Sequence, residues 1–296
     1  FWKEVPIYGS GDSTAYIELC TQINNGFDPS YYLINTNLFR TLGYPFILSV
    51  FNFNENPKLF FLIQLLSHFF SATLLFLLLQ RYYQSKWILI MFFIHMILPI
   101  YVQHTAFILT ESFTQIFLIL GLVSFVKYLN ITGSKSFGLL FLSGISLSFA
   151  ALIRPTFQLL PIGFFFIIIL LYIVEKKKRY KYDALIILFS SALVLGSYSY
   201  YNKVNYNFTG ISPSLGAYLS IKTTKIIDDI PNKHYEIKEI LVEQRNLDLI
   251  EPNSSHTGKM YIWKAIPTLK KKLNLNFVEL SKKLKSINFS LIKNNP

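Results

Sequence analysis

Cysteine is nearly absent. Cys20 is the only one in 296 residues, which excludes an internal disulfide and leaves no cysteine-based metal site. Charge is sparse too: 15% of residues are Asp, Glu, Lys or Arg, against about 25% in an ordinary soluble domain. Acidic residues are the scarcest class, 16 against 28 basic ones, for a net charge of +12. The five histidines, His68, His95, His104, His234 and His256, show no ligand spacing, and Asp228-Asp229 are adjacent rather than one residue apart, so no metal site is expected. A charge of +12 raises nucleic acid as a partner. The excess, however, sits in Lys-rich runs beside or beyond apolar blocks. That places the anionic partner at a membrane surface and argues for no nucleic acid.

Apolar residues fill the space that charge leaves. They make up 52% of the chain, aromatics 17%, and they come in blocks. Six stretches approach the roughly 17–25 residues that cross a bilayer: Leu59–Leu79, Trp87–Val102, Thr105–Val126, Phe137–Ile153, Thr156–Val174 and Ala184–Tyr201. Backbone groups in lipid must pair within their own segment, so all six are expected to be helices. The second is short, and the fifth carries Pro161. Basic residues follow the first span (Arg81, Lys86), the third (Lys127, Lys135) and the fifth (Lys176, Lys177, Lys178, Arg179, Lys181). With six crossings these loops share one side, which the positive-inside rule makes cytoplasmic.

Three regions result: a first extracytoplasmic loop over 1–58, a six-span region over 59–201, and a polar, basic extracytoplasmic segment over 202–296. The fold class is an all-α polytopic membrane bundle. A short helix is expected from about Ser13 to Ile23, after the turn Gly9-Ser10-Gly11-Asp12. In the last segment Leu269, Leu273, Phe277, Leu280, Leu284 and Ile287 recur at helical spacing among lysines. Such a helix lies in the membrane interface or on the surface of a soluble domain. The chain opens at Phe1 without an initiator Met or signal-peptide pattern and closes on Asn295-Pro296. The expectation is a piece of a longer protein, inactive alone.

Charged and aromatic side chains gather on the outer side: Asp12, Tyr16, Glu18, Arg40, Tyr44, His104, Glu111 and Arg154. Each also has an ordinary explanation. Asp12 opens a helix and serves as an N-cap. Glu111 begins a span near the interface, where a solvated carboxylate costs little. Arg154 lies between two spans, where arginines snorkel to phosphates. Arg40 precedes the turn Thr41-Leu42-Gly43-Tyr44-Pro45.

Taken in order, these residues resemble a known group. Gly11-Asp12-Ser13-Thr14-Ala15-Tyr16 resembles the acidic first-loop motif of the GT-C glycosyltransferases, in the branch of protein O-mannosyltransferases and bacterial aminoarabinose transferases. Arg40-Thr41-Leu42-Gly43-Tyr44-Pro45 is similar to the Arg/Lys-x-Pro-Gly-Tyr-Pro element before their second span, with Leu42 in place of the usual proline. Thr110-Glu111 matches the acidic position opening their fourth span. Gly144 through Pro155 resembles a small-residue span closed by Arg-Pro, and Ile211 through Gly216 a Ser-x-x-Gly outer-loop segment. The resemblance implies a span ahead of Phe1 and others after Pro296.

It also implies a chemistry. A polyprenyl-phosphate-linked sugar is the donor and the only cofactor-like molecule expected; lipid, glycan or protein is the acceptor, and the transfer inverts. Asp12 takes the place of the base that deprotonates the acceptor. Arg40 and Arg154 supply forked donors to the leaving phosphate. Glu111 orients a substrate or supports Asp12, while Tyr16, Tyr44 and His104 line the substrates. The implied location is the plasma or inner membrane of a bacterium, with the site outside. The rival readings are a lipid-linked glycan polymerase or ligase, and a transporter. A transporter predicts broken polar helices near mid-bilayer and an internal repeat.

The topology is testable directly. From the outer side, a maleimide probe should label a cysteine at Asn253 and spare one at Lys178; the reverse pattern would overturn the orientation.

Overall fold

The computed structural model describes residues 11–30, 32, 39–98, 105–131, 133–250 and 260–295. Among them every regular element is a helix. The chain divides into two compact units: one holds Phe1–Asp28 and Thr41–Ile211, the other Pro29–Arg40 and Ser212–Pro296.

In the first unit, α1 (Gly11–Asn24) and α2 (Gly43–Val50) precede α3 (Pro57–Tyr82), α4 (Lys86–Ile97), α5 (Glu111–Leu129), α6 (Ser134–Ile153), α7 (Leu160–Glu175) and α8 (Arg179–Tyr206), the last with a π-helical turn at Ala192–Gly196. Five of these, α3 and α5 to α8, are long and apolar enough to cross a membrane. Their outward sides are apolar: Phe70, Leu77, Phe166, Ile173 and Val174 are all exposed. Lipid is the solvent that makes such surfaces stable.

The stretch expected as the second span, 87–102, differs. Its helix α4 ends at Ile97 after 12 residues, a rise of about 18 Å against a core of about 30 Å. The cause is local. Leu98 precedes Pro99 and takes an extended ψ of 117°, because the proline ring crowds a helical residue ahead of it. Pro161, by contrast, falls in the first turn of α7, where no backbone N–H is missed.

Two sets of contacts define the ends of the bundle. At one end Asn130, just past α5, donates to the Tyr82 hydroxyl of α3 at 2.6 Å. There too Tyr128 donates to Asp183 at 2.6 Å, and Lys177 pairs with Glu175. The basic loops 81–86, 127–135 and 175–181 therefore converge. At the other end Gln64, early in α3, bonds the carbonyls of Thr105 and Phe107 just ahead of α5. So α3 and α5 run parallel, and α6 returns antiparallel to α5.

Small residues set the spacing of α5, α6 and α8. A Cβ on Gly121 of α5 would stand 2.8 Å from the Leu147 side chain of α6, and one on Gly144 of α6 would stand 1.9 Å from Ser190 Oγ of α8. Ser143 donates to the Gly121 carbonyl at 2.9 Å. Small residues let helix backbones approach where lipid supplies no hydrophobic drive between helices. His68 of α3 and His95 of α4 face each other with ring centroids 5.1 Å apart, an inter-helix contact.

The second unit has its own core. Its helices are α9 (Leu215–Lys222), α10 (Tyr235–Ile250), α11 (Tyr261–Leu273) and α12 (Phe277–Asn294). The helical spacing over 269–287 resolves into two helices rather than one. Asn274 takes the left-handed conformation at φ 50° that ends α11, a conformation Asn tolerates. Asn276 then starts α12 with a capping box to Glu279. Leu269, Phe277, Leu280, Leu284 and Ile287 bury together with Ile237, Ile240 and Tyr261. The apolar stripe thus faces protein, which settles the interface-or-surface alternative for that face. Asn288, buried in α12, donates to Ser220 Oγ at 2.8 Å and to the Gly216 carbonyl, and accepts from Thr223.

Gly43 and Gly138 separate the two fates of a glycine. A Cβ at Gly43 would stand 2.4 Å from the Leu152 carbonyl oxygen, whereas at Gly138 it meets nothing within 4 Å. Gly43→Ala should cost about 1–3 kcal/mol as overpacking. Gly138→Ala, on an open helix surface, should be neutral or stabilising by about 0.5–1 kcal/mol. Thermal unfolding in detergent checks both, and equal midpoints would contradict the packing.

Candidate active site

At the bundle end opposite the basic loops, sequence and packing bring two charged side chains together. Glu111 is the first residue of α5. Arg154 caps α6, which ends at Ile153 because Arg154 precedes Pro155 and is driven to extended backbone, φ −137°, ψ 103°. The antiparallel packing of α5 on α6 places one helix start beside the other's finish. Arg154 Nη1 donates to Glu111 Oε1 at 2.7 Å. Their side chains stay 44% and 39% exposed, so the pair is open to a ligand.

A buried hydrogen-bonded floor fixes this pair. Tyr44, fully buried in the first turn of α2, donates to Gln64 Oε1 at 2.9 Å. Gln64 Nε2 in turn donates to the Thr105 and Phe107 carbonyls at 2.9 and 3.1 Å. From α1, Ser13 donates to the Ile108 carbonyl at 3.0 Å. Two helices thereby pin the segment 105–110 that leads into Glu111. Tyr16 of α1 meets Tyr44 edge-on, with centroids 4.9 Å apart. Burial first, then the neighbouring Tyr16 and the Glu111 carboxylate, hold the Tyr44 phenol well above its ordinary pKa, so it remains a neutral donor. Gly43 admits the start of α2 against the last turn of α6, and the Leu42 N–H donates to the Tyr198 hydroxyl of α8 at 3.2 Å.

Asp12 occupies the first turn of α1, half-buried and next to Ser13. That position favours a carboxylate through the helix dipole. The Ser13 bond to Ile108 ties the Asp12 turn to the segment three residues ahead of Glu111. Glu18 lies further along α1 and is exposed. Arg40 belongs to the second unit, where its guanidinium lies 4.5 Å from the Phe39 ring and its carbonyl accepts from the Tyr32 hydroxyl. His104 lies outside the described residues. The Ser212–Gly216 segment is engaged inside the second unit: Ser281 donates to the Pro213 carbonyl and accepts from the Gly216 N–H.

The structure thus gathers Tyr16, Tyr44, Glu111 and Arg154 around one floor, with the Asp12 turn attached to it. Gln64 is the residue of this candidate site that sequence reasoning passed over. Its signal was a lone amide inside an apolar span, which in lipid needs internal partners. Among the described residues no group of three or more His, Cys, Asp or Glu is placed to hold a metal ion. Asp228 is taken up instead in a two-pronged pair with Arg245.

Floor and ion pair should differ in stability. Gln64→Leu removes the acceptor from the buried Tyr44 hydroxyl and one donor from each of the Thr105 and Phe107 carbonyls, and should cost about 1–3 kcal/mol. Glu111→Gln breaks an exposed pair and should cost under about 1 kcal/mol. Thermal unfolding in detergent distinguishes them; a larger loss for Glu111→Gln would contradict the assignment of the floor.

Residues 50–204 match the family model of dolichyl-phosphate-mannose-protein mannosyltransferases. The matched region runs from the last residue of α2 through most of α8 and contains Gln64, Glu111 and Arg154. No curated protein and no solved structure matches the chain. The match covers just over half of the sequence and coincides with the membrane bundle that carries the ion pair, so the chain, a membrane glycosyltransferase, belongs to the dolichyl-phosphate-mannose-protein mannosyltransferase family.

Proposed function

We propose that this protein transfers a sugar from a polyprenyl-phosphate-linked donor to an acceptor hydroxyl, with inversion, at the bundle end that holds Glu111 and Arg154. The observation carrying this reading is the open Glu111–Arg154 pair at 2.7 Å on a buried polar floor. The family name supports a mannosyl phosphate donor and a protein acceptor; other lipid-phosphate sugars, and lipid or glycan acceptors, fit the same chemistry.

At the anomeric carbon the reaction makes one bond and breaks one, while one proton passes from the acceptor hydroxyl to a carboxylate. Asp12 removes the acceptor proton as the acceptor oxygen attacks the anomeric carbon. The bond from that carbon to phosphate breaks, and the phosphate leaves with the electron pair. Its charge rises in the transition state, so a fixed guanidinium is the effective aid. Arg154 presents a planar fork suited to phosphate oxygens. Glu111 holds Arg154 ready before the donor arrives, then orients the acceptor once the phosphate engages that fork. Tyr16 and Tyr44, buried beneath, hold the pair's supporting segments. No metal enters this scheme.

The reactive sugar phosphate hangs from a lipid, which is the physical reason for building the site at the end of a membrane bundle. Basic loops gather at the opposite end, and the positive-inside rule assigns that end to the cytoplasm. The site then faces outward, as expected for a bacterial plasma or inner membrane. A transporter reading is less well supported, because the charged side chains stand at helix ends rather than mid-span.

Asp12→Asn tests the base. The amide keeps the shape and loses about 0.3–1 kcal/mol of helix-dipole interaction at most, so the protein should fold and insert. Turnover from a short-chain polyprenyl-phosphate sugar should fall about 10²–10⁴-fold. Arg154→Lys keeps charge but not the fork, and should lose less. Near-normal turnover in Asp12→Asn would move the base to Glu111 or Glu18.

A further inference from the structure

The second unit carries its charge unevenly. Helices α11 and α12 together hold eight lysines and one acidic residue, Glu279. On α11, Lys264 pairs with Asp248 and Lys272 with Glu239, both from α10. On α12 the situation differs. Glu279 is committed to the capping box, and among the described residues no ion pair involves Lys282, Lys283, Lys285 or Lys293. Positive charge outside any ion pair therefore lines the exposed side of α12.

Part of that side is apolar. Phe289 is 51% and Ile292 41% exposed, and Lys285 Nζ lies 5.9 Å from the Phe289 ring centroid. Lys282, Lys285, Phe289, Ile292 and Lys293 follow spacings of three, four, three and one. At 3.6 residues per turn they fall within about 100° of arc. The core side of α12, with Leu280, Leu284, Ile287 and Leu291, is used up in the unit's own core. An exposed strip of lysines around a phenylalanine and an isoleucine has the composition of a surface that meets anionic headgroups while its rings enter the interface.

We propose that this face of α12 docks on an anionic lipid leaflet. Two facts favour lipid over an acidic protein or polymer. The chain is embedded in a membrane by its long apolar helices, so headgroups are always at hand. The strip also combines cations with an exposed aromatic and an aliphatic side chain, whereas a purely ionic partner needs only the lysines. The proposal is independent of the transfer chemistry.

The test uses the protein in lipid nanodiscs with an environment-sensitive fluorophore on Ser286→Cys, which flanks the strip. Cys20 does not compete: it is fully buried, and burial pushes its thiol up to about 11. With phosphatidylglycerol mixed into phosphatidylcholine, emission should shift to the blue and be quenched by spin-labelled lipid. Phosphatidylcholine alone should give neither. Salt should reverse the shift, and the triple change Lys282→Gln, Lys285→Gln, Lys293→Gln should abolish it. A probe on Glu243→Cys, on α10, should stay unquenched throughout. Equal emission in both lipids, or a shift that survives the triple change, would overturn the proposal. So would a shift that appears only on adding a soluble polyanion or protein.

Discussion

Gly121 on α5 leaves room for Leu147 of α6, and Gly144 on α6 leaves room for Ser190 of α8. This close seating of α6, antiparallel to α5 and parallel to α8, is the constraint on which the rest depends. A bilayer offers little hydrophobic drive between helices, so backbone proximity and the Ser143-to-Gly121 hydrogen bond hold the register. Register then has a chemical consequence. A shift by one turn, about 5.4 Å, would part the start of α5 from the end of α6 and separate Glu111 from Arg154.

From that contact the arrangement proceeds outward. Pro155 ends α6 where the arginine is needed. Gly43 lets α2 rest on the last turn of α6, which carries Tyr44 to Gln64, and Gln64 to the segment before α5. The pair itself contributes little stability because it is wet. The floor beneath is dry and hydrogen-bonded, so its polar groups are costly to disturb. Stability and chemistry are thus divided between neighbouring residues. In the proposed reaction an exposed pair can exchange partners when a phosphate arrives; a buried floor cannot.

Much of this was legible in the sequence for physical reasons. Long apolar blocks with basic loops declare spans and their alternation, and Arg154-Pro155 declares a helix end with a guanidinium on it. The mutual placement of Glu111 and Arg154, 43 residues apart, emerges only from helix packing. Gln64 was passed over because a single amide in an apolar run has no pattern. The stretch 87–102 reads as a span by composition, yet the residue before Pro99 stops its helix at Ile97. The apolar spacing over 269–287 was visible, but not the Asn274 break or the core it joins. Nor does a linear reading reveal that residues 29–40 join residues 212–296.

The central claim is that the end bearing Glu111 and Arg154 receives a lipid phosphate. Photo-crosslinking with a polyprenyl phosphate that carries a diazirine near its phosphate, followed by peptide mass spectrometry, addresses it most directly. The account predicts adducts on peptides containing residues 105–111 and 154–158, competed away by unlabelled polyprenyl phosphate and lost in Arg154→Gln. Adducts confined to the basic end, around 81–86, 127–135 and 175–181, would contradict it.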